Sequence, residues 1–442
     1  MFALLRNRDF GLLWLAGLIS TAGSFALIVA LPLHIYRLTD STLNTAVTFA
    51  ASLLPGVLFG SVAGVFVDRW DRRRVMMAAD TARALLLLSI LVAPDRLGLL
   101  YAVAALQGAI GLFFSPAENA LLPLLVGEDQ LIAANALNAL NNNLGMLIGP
   151  AVGSMIYAGP GIGGVALVDS ATFALSALLI SRIASRPRAA APQPGEGLAA
   201  GTAWSRMVSD WRAGLGIVHR SGPLTVIFIA NSLGGIAEGV FLTLGLSPLV
   251  LDVLEGTPAQ VGWLGTAQAV GGLIAGVIVA RAGHRLSQRW LFGGGSAVLG
   301  LTDTAAFNAR LFAGPGTPAV AVAMGCMTLS GFPVVTYYTG RQTLLQNHVV
   351  DAYRGRVFGA LGAVQGLAML IGLAIGGLLG EAVNIVLLLS ASAMLRVIGG
   401  LIAIRWLPRD EGGVKSRDAA RETGTVEDEL VTVMGQVPDA RL

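Results

Sequence analysis

Long apolar stretches recur along this chain and limit the folds available to it more than any other feature of the sequence. Each is about as long as the roughly 20 residues that an α-helix needs to cross the hydrocarbon core of a bilayer. Because that core offers the backbone no hydrogen-bonding partners, a chain inside it folds as helices or as a closed barrel. Hydrophobic residues make up 55% of the chain and charged residues only 12%. The sequence therefore predicts an all-α membrane protein with twelve transmembrane helices, at 10–36, 44–67, 75–93, 97–116, 133–158, 163–183, 223–251, 259–281, 290–310, 318–340, 357–380 and 383–406.

One short segment of the chain occurs twice. Residues 146–153 read Met-Leu-Ile-Gly-Pro-Ala-Val-Gly, and residues 369–376 repeat six of those eight amino acids in the same order. The two copies start 223 positions apart, which is close to half of the 442 residues. A parallel repeat of this kind predicts two similar six-helix bundles. We expect an N-terminal bundle at 1–183, a cytoplasmic central loop at 184–221, a C-terminal bundle at 222–408 and a disordered cytoplasmic tail at 409–442.

Arginine is distributed unequally between the two sets of predicted loops. Only Arg37, Arg96 and Arg310 fall on one side. The other side carries Arg6, Arg8, Arg69, Arg72, Arg73, Arg74, Arg182, Arg186, Arg188, Arg206, Arg212, Arg220, Arg281, Arg285, Arg289, Arg341, Arg354 and Arg356. Because short cytoplasmic loops carry the excess of basic residues, both termini are predicted to be cytoplasmic. The net charge of +3 is then a consequence of topology, and we expect no nucleic-acid partner.

The central loop contains a candidate amphipathic helix. Trp204, Met207, Trp211, Leu215 and Val218 recur at spacings of three or four residues. Such a face is typical of a helix that lies in the membrane interface. It is equally typical of a helix that packs against the ends of the bundles.

The chain lacks the residues that metal binding and nucleotide binding need. The chain has one cysteine, Cys326, and its four histidines are scattered, so the sequence predicts no metal site. Its glycine-rich runs lie in apolar stretches and are not followed by the Lys-Ser/Thr pair of a phosphate-binding loop. We therefore expect no cofactor, no enzymatic activity and no ATP-driven transport.

A charged motif follows the second apolar stretch. Residues 64–74 read Gly-Val-Phe-Val-Asp-Arg-Trp-Asp-Arg-Arg-Arg. This segment resembles the loop motif G-x-x-x-D-R-x-G-R-R of the major facilitator superfamily, with Asp71 where the motif has glycine. The resemblance implies a multi-pass transporter in the cytoplasmic (inner) membrane. Its partners would be a small-molecule substrate, protons and the lipid bilayer, and we expect it to work as a monomer.

In the family, this loop acts as a conformational latch, a set of charges that holds one arrangement of the bundles. The resemblance implies that Asp68 faces the helix after Arg356 and that a loop arginine pairs with Glu118 at the end of the fourth helix. The alternative is that these charges only fix the topology of the loop. The predicted latch comprises Gly64, Asp68, Arg69, Arg72, Arg73 and Glu118.

The duplicated segment contains a second family motif. Gly145, Gly149, Pro150 and Gly153 resemble the G-x-x-x-G-P-x-x-G-G motif of proton-coupled exporters, with Ser154 at the last position. The resemblance implies export. Glycine at every fourth position also permits close packing of any two membrane helices, which is the alternative interpretation.

Ionisable residues within the apolar stretches are costly and therefore are candidates for function. Glu238, in the seventh stretch, is the predicted proton-coupling carboxylate, because the resemblance implies that this helix lines the central cavity. Its alternative role is a hydrogen bond to a neighbouring helix. Two other combinations are predicted to be structural ion pairs, Asp303 with Arg396 and Asp80 with Arg83.

Polar uncharged residues complete the predicted cavity. Asn138 and Asn142 mark one helical face, and glutamines on other stretches are expected to join them. The candidates are Gln107, Gln268 and Gln365, with Asn231, Tyr337 and Tyr338. Together with aromatic walls, such a cavity would suit a bulky amphipathic molecule better than a sugar.

Overall, the chain resembles the macrolide and siderophore (enterobactin) exporters of the superfamily. The function implied is secondary active export by proton antiport with alternating access. Two alternatives keep the same fold, a proton symporter and a lysophospholipid transporter. A non-transporting membrane receptor would normally carry an ordered soluble output domain, which the short tail does not provide.

Overall fold

The computed structural model describes residues 2–67, 70–184, 200–350 and 353–408, and every regular element in these ranges is helical. The α-helices are α1 (Arg8–Thr39), α2 (Thr42–Val67), α3 (Arg72–Val92), α4 (Leu97–Val126), α5 (Leu131–Ala158), α6 (Gly161–Ser181), α7 (Ala200–Arg220), α8 (Gly222–Leu244), α9 (Pro258–Ala282), α10 (Gly295–Phe307), α11 (Ala309–Ala313), α12 (Thr317–His348), α13 (Arg354–Leu379) and α14 (Ile385–Trp406). Short π-helices at Leu249–Val253 and Trp290–Gly294 follow α8 and precede α10. The predicted helical fold is confirmed.

Each of the twelve apolar stretches falls on one of these helices. Within the described ranges, ten helices are long and apolar enough to cross a membrane. The other two stretches belong to α5, which carries several asparagines, and to α10, which has only 13 residues after its π-helix. The count of twelve spans therefore stays a prediction.

The helices of the two halves pack in the same order. In the first half α1 lies against α5 and α6, α2 against α4, and α3 against α4 and α6. In the second half α8 lies against α13 and α14, α9 against α12, and α10 against α12 and α14. The helices of the two halves therefore correspond in order: α1 to α8, α2 to α9, α3 to α10, α4 to α12, α5 to α13 and α6 to α14. Helices α7 and α11 lie outside this correspondence. The duplicated segment thus indicates that the helices of the two halves pack in the same arrangement.

The repeated glycines bring helices together inside each half. A Cβ added at Gly149 of α5 would collide with the backbone of α1 at Ala22, and one added at Gly372 of α13 would collide with the backbone of α8 at Ile236. Only glycine permits so close an approach of two helix backbones. The glycine stripe therefore has a packing role in both halves.

The two halves meet through α5 with α9 and through α2 with α13. Ser154 Oγ donates to the carbonyl of Ala259 at 2.8 Å. Thr42 Oγ1 donates to the carbonyl of Gly377 at 3.1 Å, and Ser41 Oγ to Glu381 Oε1 at 2.7 Å. These residues lie at the helix ends opposite the arginine-rich loops. We call this the far end and the arginine-rich end the basic end.

Apolar cores follow the same division. One cluster at the far end joins residues of both halves, such as Leu33, Tyr157 and Leu249. At the basic end each half has a separate cluster, one around Phe10 and one around Phe228. Apolar contact thus holds the halves together at the far end.

Helix α7, from the central loop, packs against the basic end of the second half. Asp210 Oδ1 and Arg356 Nε form an ion pair of 3.3 Å, and Val218 is buried in the cluster around Phe228. These contacts favour packing against the bundle ends over a position in the membrane interface. The side chains of Trp204 and Met207, and the tail at 409–442, lie outside the described residues.

Candidate functional site

The described part of the charged loop motif caps helices. Asp71, which departs from the family motif, is the N-cap of α3 and accepts a hydrogen bond of 2.9 Å from the backbone N–H of Arg74. Arg73 Nε donates to the carbonyl of Ile180 at 3.0 Å and a second nitrogen donates to the carbonyl of Ser181, at the C-terminus of α6. These contacts fix the start of α3 against α6. Asp68 and Arg69 lie outside the described residues, and Gly64 lies on α2 without a described environment.

The described contacts of Glu118 lie inside the first half, and its predicted pairing with a loop arginine stays a prediction, because Arg69 lies outside the described residues. Arg72 Nη1 donates to the carbonyl of Ala120 at 3.1 Å rather than to the Glu118 carboxylate. The carboxylate instead accepts from Asn138 Nδ2 of α5 at 3.4 Å. An added Cβ at Gly17 of α1 would lie 3.6 Å from Glu118 Oε1. Glu118 therefore lies between α1, α4 and α5, within the first half.

Glu238 belongs to a group of three charged side chains in the second half. Arg396 of α14 forms an ion pair with Glu238 of α8 through Nη2, and its Nε lies 3.8 Å from Asp303 Oδ2 of α10. The expected contact between Asp303 and Arg396 is present, and Glu238 joins it. The side chain of Glu238 is 36% exposed, whereas those of Arg396 and Asp303 are each 9% exposed. Two carboxylates thus share one guanidinium, and Glu238 is the more exposed of the two.

A second polar cluster surrounds Arg341, a residue that the sequence placed in a loop. This prediction was wrong, because α12 continues to His348 and holds Arg341 inside the helix. Its Nη1 donates to Asn231 Oδ1 of α8 at 2.7 Å and to Gln365 Oε1 of α13 at 2.8 Å. Tyr337 also donates to Asn231, at 3.2 Å. Arg341 thereby links three helices.

Aromatic rings and one glycine connect the two clusters. The guanidinium carbon of Arg341 lies 4.9 Å from the ring centroid of Tyr338, whose side chain is 45% exposed. A Cβ added at Gly234 would lie 3.4 Å from the Tyr337 hydroxyl and 4.0 Å from Arg396 Nη1. The Arg341 cluster and the Glu238 group are therefore neighbours.

Other predicted cavity residues join helices within one half. Gln107 Nε2 donates to the carbonyl of Arg83 at 3.3 Å, and Arg83 Nη2 donates to the carbonyl of Gln107 at 3.2 Å. Gln268 Nε2 donates to Ser330 Oγ at 3.0 Å. Of the predicted glutamines, Gln365 joins Asn231 through Arg341, while Asn142 is exposed on α5. The structure thus brings together fewer of these residues than expected.

Buried acids of the first half have partners other than those predicted. Asp80 accepts from Ser176 Oγ at 2.6 Å. The guanidinium of Arg83 instead lies over the ring of Phe173, 5.0 Å from its centroid. The expected direct pair between Asp80 and Arg83 is therefore replaced by contacts to α6. Asp169 of α6 accepts from Thr172 Oγ1 at 3.0 Å.

At the far end, the hydroxyl of Tyr36 in α1 donates to Asp252 Oδ2 in the π-helix after α8. Burial raises the pKa of Asp252 above its usual range, and the hydrogen bond from Tyr36 opposes this shift. The negative charge of Asp40 raises this pKa further. The bond connects the two halves.

Comparison with known proteins agrees with this architecture. A family model described as transmembrane secretion effector matches residues 1–437. The chain is 26% identical to macrolide efflux protein A of Streptococcus pyogenes, over 84% of this chain and 89% of that protein. It is 27% identical to the multidrug efflux pump Tap of Mycolicibacterium fortuitum, over 90% of this chain and 95% of that protein.

Solved transporters share the fold at low sequence identity. A bacterial homologue of the iron transporter ferroportin, in its inward-facing state, gives a TM-score of 0.69 at 19% identity over 91% of this chain and 99% of that one. A transporter of the POT family gives a TM-score of 0.71 at 11% identity over 90% of this chain and 96% of that one. The chain therefore belongs to the transmembrane secretion effector family of the major facilitator superfamily and is a multi-pass membrane transporter.

Proposed function

We propose that this transporter exports a bulky amphipathic small molecule, of drug or siderophore type, by proton antiport with alternating access. The observation that carries the proposal is the group of Glu238, Arg396 and Asp303. The direction of transport is supported by the two relatives, which are described as efflux proteins.

The three charges suit proton coupling. With both carboxylates ionised the group has a net charge of −1, and an unbalanced charge is costly in the membrane interior. A proton on one carboxylate removes that imbalance. We assign the proton to Glu238, because its side chain is the most exposed of the three. Loading Glu238 with a proton would weaken its ion pair with Arg396 and so loosen α8 from α14.

The far-end contacts suit one state of an alternating-access cycle. We propose that both termini are cytoplasmic, that twelve helices span the inner membrane in bundles 1–183 and 222–408, joined by 184–221, and that the chain works as a monomer. The basic end is then cytoplasmic. Among the described residues, the largest apolar cluster that joins the halves lies at the far end, and we propose that this arrangement corresponds to an inward-facing state. The loop with Gly64, Asp68, Arg69, Arg72 and Arg73 would latch the opposite, outward-facing state.

Transport into everted membrane vesicles tests this proposal. Vesicles energised to an acid interior would be supplied with radiolabelled erythromycin and with ethidium. We expect uptake that a protonophore abolishes and that Glu238→Gln reduces by at least tenfold. The matched control is Glu255→Gln, since Glu255 is an exposed acid that forms an ion pair with Arg310 at 2.9 Å.

Three outcomes decide between mechanisms. Gradient-driven uptake that survives Glu238→Gln would place the proton elsewhere. Uptake that occurs only in right-side-out vesicles would reverse the direction and make the chain a symporter. An equal loss in both variants would show that Glu238 has no specific role.

A further inference from the structure

The repeat places two residues of opposite charge at equivalent positions. A Cβ added at Gly108 of α4 would collide with the backbone of α2 at Ser52, and one added at Gly331 of α12 would collide with the backbone of α9 at Gln268 and its neighbours. Gly108 and Gly331 are 223 positions apart, as are the duplicated segments. Ten residues after each glycine the helix carries a charge, which is Glu118 in α4 and Arg341 in α12.

The two charged residues also face equivalent neighbours. Glu118 lies beside α1 at Gly17 and accepts from Asn138 of α5, so it contacts the first and fifth helices of its half. Arg341 binds Asn231 of α8 and Gln365 of α13, again the first and fifth helices of its half. Equal spacing and equal neighbours make the two positions true counterparts.

Both positions lie on helices that border the space between the halves. Helices α2 and α5 reach the second half, and α1 and α4 each contact both of them. Helices α9 and α13 reach the first half, with α12 packed on α9 and α8 on α13. Glu118 and Arg341 are both only partly buried. Each charge thus lies on a helix beside the helices that reach the other half.

The hydrogen-bonding partners found for each charge are neutral. Among the described residues, Glu118 accepts a hydrogen bond from an amide, and Arg341 donates to two amide oxygens. Three buried polar atoms of these clusters have no hydrogen-bond partner among those residues, namely Asn138 Oδ1, Asn231 Nδ2 and Arg341 Nε. Buried polar atoms without a partner point to a ligand that satisfies them.

We propose that Glu118 and Arg341 are the two ends of a cargo site for a zwitterionic amphipathic molecule. The carboxylate of Glu118 binds a basic group of the cargo, and the guanidinium of Arg341 binds an acidic group. The exposed ring of Tyr338, beside Arg341, contacts the apolar body. The inference rests on the proposed role in small-molecule transport and specifies the class of molecule, one that carries both charges.

Three fluorescent probes with one apolar body test the proposal. Nα-dansyl-lysine is a zwitterion with its ammonium at the end of the side chain and its carboxylate on the α-carbon, dansylcadaverine lacks the carboxylate, and Nα-dansyl-norleucine lacks the amine. Binding to the purified full-length chain in nanodiscs would be followed by dansyl fluorescence, without a proton gradient. We expect the wild type to bind the zwitterion about tenfold more tightly than either singly charged probe.

The two neutral variants should fail in opposite ways. Glu118→Gln should weaken binding of the zwitterion and of the cation about tenfold and leave the anion unchanged, whereas Arg341→Gln should do so for the zwitterion and the anion and leave the cation unchanged. Glu118→Asp and Arg341→Lys should restore part of the affinity. The matched controls Glu255→Gln and Arg310→Gln change an exposed ion pair and should have no effect.

Several results would overturn the proposal. The first is a wild-type protein that binds the zwitterion no more tightly than the other probes, or that shows no saturable binding at all. The second is a single variant that loses binding of all three probes alike while its thermal unfolding stays that of the wild type. The last result would mean that Glu118 and Arg341 pair with each other on closure. Because the assay uses no gradient, proton antiport can fail while this site is confirmed, and the site can fail while Glu238 still couples transport to protons.

Discussion

Gly262 offers the sharpest test of how the two halves meet. A Cβ added to this residue of α9 would collide with the carbonyl oxygen of Pro150 and with Ser154 Oγ, both in α5. The carbonyl belongs to the helix backbone and cannot rotate away. In Gly262→Ala the two helices would have to separate by about 1 Å or more before the atoms reach van der Waals distance. The far end would then be less able to close.

The free-energy cost of this separation follows from the known effect of inserting extra atoms into a packed contact. Inserting one methyl group into a closely packed contact costs about 1–3 kcal/mol. The penalty applies only to the state in which α5 and α9 touch, so it changes the balance between the states and not the stability of each half. A difference of about 1–3 kcal/mol shifts a two-state ratio by roughly 5- to 150-fold. We expect the population with a closed far end to fall by that factor relative to the open one.

Distances between spin labels measure this population directly. The labels would be attached to cysteines at Val92 and Leu311, which are 86% and 81% exposed, lie at the far end and belong to different halves. The native Cys326 would first be replaced by serine. Gly276→Ala is the matched control, because nothing lies within 4 Å of a Cβ at that position of the same helix. Unchanged distances in Gly262→Ala, or an equal shift in Gly276→Ala, would refute the contact between α5 and α9.

Two further predictions use the same logic. The far end should close more strongly at low pH, because the pKa of Asp252 is raised above 3.8 when it is buried against Tyr36. That contribution is lost as the pH rises through the raised pKa, and Asp252→Asn should remove the pH dependence of the spin-label distance. Separately, Gly149→Ala and Gly372→Ala should each destabilise the protein by about 1–3 kcal/mol in thermal unfolding, whereas Gly362→Ala, which has open space around it, should not.

Much of the fold could be predicted from the sequence, because membrane helices are recognised by the length and apolarity of their segments. All twelve predicted stretches fall on helices, and the repeated segment marks helices that pack in the same way in both halves. The sequence left the role of the glycines open between an exporter motif and close packing of helices. Gly149 packs inside the first half, while the neighbouring Pro150 faces α9 of the second half, so one segment serves both kinds of contact.

The candidate site was harder to predict, because side-chain partners depend on how helices turn about their axes. Glu238 was selected from its place in an apolar stretch and from the family resemblance of that helix, and its contact with Arg396 could not be read from residues 158 positions apart. Arg341 was missed because an arginine near the end of an apolar stretch resembles a topological charge. Its one detectable signal was the tyrosine pair, Tyr337 and Tyr338, one turn earlier on the same helix.

The duplicated fold and its charges obey different physical constraints. Glycines such as Gly108 and Gly331 touch backbone, so any side chain there would force two helices apart, and both halves need the same residue. Glu118 and Arg341 bond to side-chain amides of neighbouring helices, so their charge is not fixed by backbone packing and can differ between the halves. The helices of the two halves are arranged symmetrically, but one half carries a negative charge where the other carries a positive one. The axis that relates the two halves therefore has a negative side and a positive side. Such an axis orients a cargo with two different ends, which two identical side chains at these positions could not do.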